Sequence, residues 1–318
     1  MLQNAVWLIL LVLLTGFCVF IPGYAQTGIF LNILEQSAFI GILSVGLSIA
    51  IIAGKMDLSI ESTMALSAML TAALAAALGP GGPFGIPWLI VPATLIIALF
   101  LGVCVGLFNA LVVLKFGINA FIATLATYIF LRGAVVAFSG GRGIFGLPED
   151  LRAIAASRIG AIPALAWITI AVFIICTFIL SKTPFGRYIY LCGGNSLAPF
   201  RAGINTTKIA VWAFVIPGVL AAFAGWLLAA RTAGATANLG IGMLFEAFAA
   251  VVIGGVSLQG GVGRLSGVFA GVLLLGSIRT AINLLGMPPQ YTQMIQGGLV
   301  LAAMLLDSLK TSIRARYL

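Results

Sequence analysis

Lys55, Asp57 and Glu61 lie close together in the segment AGKMDLSIES, which interrupts two long apolar runs. Ionisable side chains are costly in apolar surroundings, so such residues are the first candidates for a functional role. Asp57 could cap a helix that begins near Ile60, because a short carboxylate accepts hydrogen bonds from free helical N–H groups. We interpret the segment as a helix break with a local ion pair, and retain ligand contact and proton transfer as alternatives.

Arg279 lies inside another strongly apolar stretch, where it needs a partner of opposite charge or a water-filled cavity. We expect it to snorkel toward a polar boundary or to pair with another subunit, in preference to binding a ligand. Three further carboxylates, Glu35, Glu246 and Asp307, keep a proton-coupled mechanism open.

The sequence lacks the residues of several common kinds of site. It has no histidine, and its four cysteines show no CxxC spacing, so we expect neither a metal site nor a haem. Gly54 and Lys55 are followed by Met56, so the chain has no phosphate-binding loop for ATP. The formal net charge of +9 comes from scattered basic residues, not from a dense patch with aromatics, and nucleic acid is not an expected partner.

The composition is that of a membrane protein. Hydrophobic residues make up 62% of the 318 positions and charged residues only 7%, against about 25% charged residues in soluble domains. Apolar stretches of about 20 residues, long enough to cross a bilayer, recur along the chain. We predict an all-α membrane protein with a single transmembrane domain over residues 1–318. The first stretch, Val6 to Phe20, lacks the flanks of a cleaved signal and is predicted to be a retained helix, with a cleaved signal as the alternative.

About ten transmembrane helices are predicted from the apolar runs and the breaks between them. They are Val6 to Pro22, Ile33 to Ala53, Ile60 to Leu78, Trp88 to Leu114, Ala120 to Phe138, Pro163 to Ser181, Ile209 to Ala230, Leu244 to Leu258, Leu265 to Leu285 and Tyr291 to Leu306. The span from Leu244 is short for a full crossing, so we expect it to be tilted, extended into its flanks or partly re-entrant.

Positive charge predicts the orientation, because Lys and Arg are retained on the cytoplasmic side of a membrane. With the N-terminus inside, the basic residues inside are Lys55, Lys115, Lys182, Arg187, Arg201, Lys208, Arg264, Lys310, Arg314 and Arg316. Those outside are Arg142, Arg152, Arg158 and Arg231. Both termini are therefore predicted to be cytoplasmic. Two loops are long, an outer one at about 139–162, which could face an external partner, and an inner one at about 182–207.

Closely spaced glycines are expected to serve mainly in helix packing. Gly102 with Gly106, and Gly267 with Gly271, have the small-xxx-small spacing that lets membrane helices approach closely. The glycine-rich stretch 254–264 cannot be a stable continuous helix, so we expect a tight inner turn or, alternatively, an unwound segment that lines a cavity.

Residues 106–124 and 275–293 both predict a helix, a glycine break and the start of a second helix, with Gly117 matching Gly286. In the ten-span arrangement these are spans four and five against spans nine and ten. An offset of five spans inverts the topology, as in the inverted repeats of many transporters. The residues match poorly, so a chance resemblance stays open.

Three motifs resemble those of the permeases of simple-sugar ABC importers, the group that includes the ribose, xylose, arabinose and galactose systems. GKMDLS at 54–59 is similar to that family's GGIDLSVG. KTPFGR at 182–187, with GGN at 193–195 and GIN at 203–205, is similar to its long inner loop. EAFAAVVIGGVSLQGG at 246–261 is similar to EAIAAVVLGGTSLxGG. The resemblance covers nearly the whole chain.

The chain departs from the family pattern at a few positions. Lys55 stands where glycine is usual, and Glu61 lies near the usual valine-glycine. Leu197 and Pro199 replace what is commonly Glu and a second Ala in the inner loop. These departures leave the identity of the substrate open and bear on which ATPase is recognised.

The resemblance implies the function of a permease and no enzymatic activity. Such a permease moves a monosaccharide or small polyol across the bacterial inner membrane by alternating access. Its expected partners are a second permease copy or paralogue, ATPase subunits that bind ATP and Mg²⁺, and a periplasmic binding protein that delivers the ligand. The implied fold is similar to that of the ten-helix permeases typified by the vitamin B12 importer.

The resemblance also implies a short coupling helix between Gly193 and Asn205 that sits in a groove of the ATPase. The expected coupling residues are Gly193, Gly194, Asn195, Ala198 and Gly203. Sugars are recognised by hydrogen-bonding groups and aromatic faces. Candidate pathway residues, each also explained by packing, are Asp57, Asn109, Asn119, Phe121, Thr124, Tyr128 and Asn283.

Other classes of transporter remain alternatives. An ABC permease for nucleosides or branched-chain amino acids would share parts of these motifs. An ion-coupled secondary transporter would need no ATPase and would depend on buried carboxylates such as Glu246 or Asp57. A channel or a purely structural membrane protein would not need the large inner loop with its GGN motif.

Overall fold

The computed structural model describes residues 5–79, 82–288, 290, 291, 294, 295, 297, 298, 301 and 305, and most of these are helical. Between residues 5 and 284 the helices are α1 (Ala5–Phe20), α2 (Thr27–Ile52), α3 (Ile60–Leu78), α4 (Ile90–Lys115), α5 (Ala120–Ser139), α6 (Glu149–Ala156), α7 (Ala164–Lys182), α8 (Pro184–Gly194), α9 (Leu197–Arg201), α10 (Thr206–Thr232), α11 (Met243–Ile253) and α12 (Leu265–Leu284). The short strands are β1 (Ile144–Phe145), β2 (Arg158–Ile159), β3 (Ile162–Pro163) and β4 (Gly234–Ala235).

Seven helices in the described part of the chain are long and apolar enough to cross a membrane. They are α2, α3, α4 with the 3-10 turn before it, α5, α7, α10 and α12. Two shorter apolar helices, α1 and α11, fall below the length of a full crossing. The prediction of a helical protein with several spans is confirmed, but the number of ten is not. The predicted tenth span, Tyr291 to Leu306, lies largely outside the described residues.

Helix α2 occupies the centre of the bundle. Its side chains are buried on every face from Ser37 to Ile52, and it packs against α7, α10, α11 and α12. The sequence FIGILSVGLSIAII in this part has no strongly polar face to expose, which favours a central position. The other helices are therefore positioned around α2.

Close helix contacts are made at the small residues. A Cβ on Gly102 would lie 2.5 Å from the carbonyl oxygen of Gly218, so α4 and α10 meet backbone to backbone. Gly106 faces the backbone of α10 in the same way, and Gly267 and Gly271 of α12 face the backbone of Gly254 and Ala250, at the C-terminal end of α11. These contacts confirm the predicted packing role of both glycine pairs.

The span that contains α11 is discontinuous. After α10 ends at Thr232, the chain passes through β4 and several turns before α11 begins at Met243. At about 1.5 Å per residue, the 11 residues of α11 cover about 16 Å, roughly half of the hydrocarbon core. The predicted span from Leu244 is therefore not one continuous crossing helix, because α11 is short and is preceded by non-helical chain after Thr232.

The glycine-rich stretch 254–264 forms a turn between α11 and α12. The N–H of Ser257 donates to the carbonyl oxygen of Val262 at 2.9 Å, and the N–H of Gly260 donates to that of Ser257 at 3.1 Å. The expected tight turn is confirmed.

Short pairings order the loop between α5 and α7. β1 pairs antiparallel with β4, with Ile144 opposite Ala235, and β2 with β3 forms a hairpin. Between them, α6 buries Leu151 and Ala155 and packs against α10. This loop therefore ties the end of α10 to the start of the discontinuous span.

Candidate functional site

Glu61, in the first turn of α3, forms a buried charged cluster with α5. Its Oε1 accepts hydrogen bonds from Arg132 Nη2 at 2.6 Å and from the Tyr128 hydroxyl at 3.1 Å. Arg132 also donates to the carbonyl oxygens of Ala237 and Leu239, at 3.2 and 3.1 Å. The guanidinium therefore joins α5 both to α3 and to the non-helical half of the discontinuous span.

The same carboxylate caps the start of α11. Glu61 Oε2 accepts hydrogen bonds from the backbone N–H groups of Gly242 and Leu244, each at 3.0 Å. The first N–H groups of a helix have no helical partner and carry partial positive charge, so a carboxylate is a favourable cap. The charged cluster, as named below, consists of Glu61, Tyr128, Arg132 and the backbone of residues 237–244.

A second buried network contains two of the predicted pathway residues. Asp57 Oδ1 accepts hydrogen bonds from the N–H and hydroxyl of Ser59, at 2.9 and 2.6 Å, and from Asn109 Nδ2 at 3.4 Å. Asn109 Nδ2 also contacts the Ser59 hydroxyl oxygen at 2.8 Å, and Thr127 donates to Asn109 Oδ1 at 2.7 Å. All four side chains are buried. The network holds the start of α3, which begins at Ile60 as predicted, against α4 and α5.

Asn119 and Phe121 lie apart from this network, at the start of α5. Asn119 is the N-cap of α5, and its Oδ1 accepts a hydrogen bond from the N–H of Phe121 at 2.9 Å. The Phe121 ring is half exposed. One turn later, the Thr124 hydroxyl accepts a hydrogen bond from the N–H of Leu58 at 3.1 Å. The assignment of these residues to a substrate pathway stays a prediction.

Five glycines from three segments meet at the end of the bundle that is predicted to be cytoplasmic. A Cβ on Gly193 would collide with the carbonyl oxygen of Ile52 and lie 2.7 Å from the nitrogen of Gly261. A Cβ on Gly260 would lie 2.6 Å from the oxygen of Gly193, and the N–H of Gly261 donates to the oxygen of Ile52 at 2.8 Å. This glycine junction, as named below, consists of Gly54, Gly193, Gly194, Gly260 and Gly261. Each of the three sequence motifs supplies part of it.

The predicted coupling residues belong to the glycine junction or follow directly after it. Asn195 is the C-cap of α8, and its Oδ1 accepts a hydrogen bond from the N–H of Leu197 at 3.0 Å, at the start of the short helix α9. Gly203 lies just after α9 with a left-handed φ of 79°. Ala198 and Phe200 of α9 are exposed. A short helix therefore lies in the segment where one is expected.

Two further ion pairs connect helices within the chain. Arg279 of α12 pairs with Glu246 of α11, and Arg231 of α10 pairs with Glu35 of α2 at 2.6 Å. The expectation that Arg279 snorkels or pairs with another subunit is therefore corrected, because its partner is in the same chain. α11 lies beside α12 through the glycine contacts described above, which brings Glu246 within reach.

The sequence analysis missed the partner of Glu61. Among the described residues, Glu61 pairs with Arg132, so the expected local ion pair with Lys55 is wrong for this carboxylate. The sequence signal that could have indicated this ion pair is that Arg132 falls inside a predicted span, where a charged side chain needs a partner. Asp57 also differs from expectation, since it accepts from the N–H of Ser59 and not from a helical N–H group.

Comparison with known proteins places the chain among transport permeases. The ribose import permease protein of Haemophilus influenzae is 36% identical over 291 residues, which cover 90% of this chain and 87% of that protein. The ribose import permease protein of Escherichia coli is 33% identical and covers 95% and 92% of the two chains. The L-arabinose transport system permease protein of Escherichia coli is 33% identical, over 97% of this chain and 91% of that protein.

No solved structure matches the chain. The family model described as "Branched-chain amino acid transport system / permease component" matches residues 29–304, which include the charged cluster, the buried Asp57 network and the glycine junction. The chain therefore belongs to this family of membrane-spanning transport permeases.

Proposed function

We propose that the chain is the membrane-spanning permease subunit of an ABC importer that moves a monosaccharide or related small polyol, energised by partner ATPase subunits. The observation that carries this proposal is the match, over nine-tenths or more of the chain, to ribose and arabinose permeases. The chain itself is not an enzyme, and ATP and Mg²⁺ are bound by the partner.

The charge distribution supports a neutral solute over an amino acid. Glu35, Glu61 and Glu246 are each paired with an arginine of the same chain. Transporters of carboxylate substrates commonly bind them at the free N-terminus of a half-helix. Here the Glu61 carboxylate already occupies that position on α11. The N–H groups that Glu61 binds at the start of α11 are therefore not free for an amino acid carboxylate.

The exposed surface of α9 supports the coupling role. Leu197 and Phe200 expose about two-thirds of their surface, and Arg201 is also exposed, whereas Pro199 is buried. A short helix with exposed apolar side chains beside a basic residue is suited to a groove on another protein. We assign this surface to the ATPase, with Gly193, Gly194, Asn195, Ala198 and Gly203 shaping the segment that presents it.

The finer architecture is also part of the proposal. We infer ten transmembrane spans with both termini cytoplasmic, a fold similar to that of the vitamin B12 importer, and two permease subunits in the bacterial inner membrane. The left-handed glycines Gly117 and Gly286, which follow α4 and α12, support the inverted repeat. A periplasmic binding protein delivers the ligand to the outer face.

Uptake into proteoliposomes tests the proposal. The chain is reconstituted with its ATPase, and uptake of radiolabelled D-ribose and L-arabinose is measured with the binding protein outside and ATP inside. We expect uptake that requires both. Uptake by this chain alone, driven by a proton or sodium gradient, would replace the importer by a secondary transporter, and uptake of leucine but of neither sugar would replace the sugar by an amino acid.

Two matched variants test the coupling surface. Phe200 of α9 and Phe145 of β1 are each 66% exposed, but they lie in the inner and outer loops respectively. We expect Phe200→Glu to abolish copurification of the ATPase, because a charge would replace an apolar contact, and Phe145→Glu to leave it intact. Equal ATPase recovery with both variants would contradict the assignment.

A further inference from the structure

The ion pair of Glu246 and Arg279 joins the discontinuous span to the apolar helix α12. Glu246 is in the first turn of α11, about 10 Å above the end of that helix at Ile253, from the rise of about 1.5 Å per residue. Arg279 is about 21 Å along α12 from its start at Leu265 by the same rise. Arg279 is therefore inside the apolar span α12, about 8 Å from its end at Leu284, where unpaired charges are costly.

The pair is partly accessible from outside a single copy of the chain. The side chains of Glu246 and Arg279 are 17% and 20% exposed. Next to Glu246, the Phe245 ring is 71% exposed, and Ile241 is also exposed. Charged groups that are accessible within a membrane-spanning helix face a water-filled passage or another protein surface, because lipid tails cannot solvate them.

Only part of the α11 half-helix is open to a ligand. Its first N–H groups are capped by Glu61, so the helix end itself does not form the site. Glu246 and Phe245 lie in the first turn of α11, where the Glu246 side chain is partly exposed and the Phe245 ring is exposed. Together with Arg279, these residues offer a carboxylate acceptor, a guanidinium donor and an aromatic face, with no net charge.

We propose that Glu246, Arg279 and Phe245 form a solute-contact site in the translocation passage, on the discontinuous span, for a neutral polyhydroxylated molecule. A hydroxyl group both donates and accepts, so it can donate to the Glu246 carboxylate and accept from the Arg279 guanidinium. The Phe245 ring packs against the C–H face of the solute. This site rests on the proposed function, since it requires that the chain moves such a solute.

Accessibility of Phe245 is the first test. In a complex whose native cysteines have been replaced, Phe245→Cys is treated with a charged, water-soluble methanethiosulfonate, with Leu11→Cys on the uncharged helix α1 as the control of similar exposure. We expect modification at position 245 to be about tenfold faster or more, and slowed by D-ribose, because only a hydrated thiol ionises readily. No modification of Phe245→Cys in a complex that still assembles with its ATPase would place this face against lipid or a second copy, and overturn the site.

Charge exchange separates solute contact from a structural role. We expect Glu246→Gln to lower ATP-driven sugar uptake by about tenfold or more, the scale of one hydrogen bond to a charged group. Glu35→Gln is the control, because the side chain of Glu35 is 16% exposed, close to the 17% of Glu246. This variant should leave uptake near the wild-type rate. The double variant Glu246→Arg with Arg279→Glu restores the ion pair and complex assembly but exchanges donor and acceptor, so uptake should stay low.

Recovery of full uptake in the exchanged variant would show that the pair is structural, and would overturn the inference while leaving the importer intact. Absence of ATP-dependent sugar uptake in the wild type would instead refute the proposed function. The two failures are therefore distinguished by the wild-type measurement alone.

Discussion

The charged cluster and the glycine junction both hold a non-helical segment against long helices, but they do so by opposite means. In the charged cluster, long side chains reach across a gap, and Arg132 Nη2 meets Glu61 Oε1 at 2.6 Å. In the glycine junction, side chains are absent, and the N–H of Gly261 reaches the oxygen of Ile52 directly at 2.8 Å. The charged cluster depends on opposite charges, whereas the glycine junction depends on the absence of side-chain volume.

This difference predicts different responses to substitution. A buried ion pair that loses one partner leaves an uncompensated charge, which removal of the second charge can relieve. A backbone contact has no second side chain to remove, and protein interiors have little free volume to accept an added methyl group. The charged cluster should therefore be rescued by a second substitution, whereas the glycine junction should not.

The largest effect is expected for Gly193→Ala. Its Cβ would collide with the oxygen of Ile52, so we expect loss of folded, assembled complex, measured as monodisperse protein after purification. Gly194→Ala is the matched control, because among the described residues the nearest atom to its Cβ would be the Cα of Gly261, at an ordinary contact distance of 3.9 Å. Similar yields of the two variants would show that the backbone at the glycine junction can shift to accommodate a methyl group.

Glu61→Ala should have the next largest effect. It leaves the Arg132 guanidinium and the N–H groups of Gly242 and Leu244 without this acceptor. Breaking a buried pair typically costs about 3–5 kcal/mol, seen as a lower melting temperature in detergent. Adding Arg132→Met should recover part of the loss, because it removes the unpaired charge. A double variant no more stable than Glu61→Ala would show that the backbone cap, and not the ion pair, holds the cluster.

Thr127→Val tests the neutral network beside the charged cluster. It removes the hydroxyl that donates to Asn109 Oδ1 at 2.7 Å and leaves a buried acceptor unsatisfied, at a typical cost of about 1–3 kcal/mol. The control is Thr15→Val, because the Thr15 hydroxyl donates to the oxygen of Leu11 in its own helix, in an exposed position. The melting temperature should fall for Thr127→Val and stay near the wild-type value for the control.

The smallest effect is expected for Tyr190→Phe, at the edge of the glycine junction. The Tyr190 hydroxyl donates to the oxygen of Gly263 at 2.9 Å, and burial raises the pKa of this phenol, so it remains a proton donor at neutral pH. Loss of one such bond typically costs about 1 kcal/mol. A loss as large as that of Gly193→Ala would mean that hydrogen bonds, and not volume, dominate the junction.

Much of the fold could be predicted from local sequence. The start of α3 at Ile60 and the α11–α12 turn follow from polar and glycine breaks in apolar runs, and the structure confirms both. The packing of Gly102 and Gly267 followed from their spacing. The half-length of α11 was only indicated by a short apolar run, because hydropathy does not show where a non-helical segment finds its hydrogen-bond partners.

The sequence by itself determined that this is a multi-span helical membrane protein and which family it resembles, because hydropathy and motif spacing are local properties. Only the tertiary structure decided that Glu61 pairs with Arg132, 71 positions away, and accepts a hydrogen bond from Gly242, the N-cap of α11, 181 positions away. It also decided that three separate motifs meet at the glycine junction. Such partners depend on which helix faces lie together, and that is set by packing across the whole bundle.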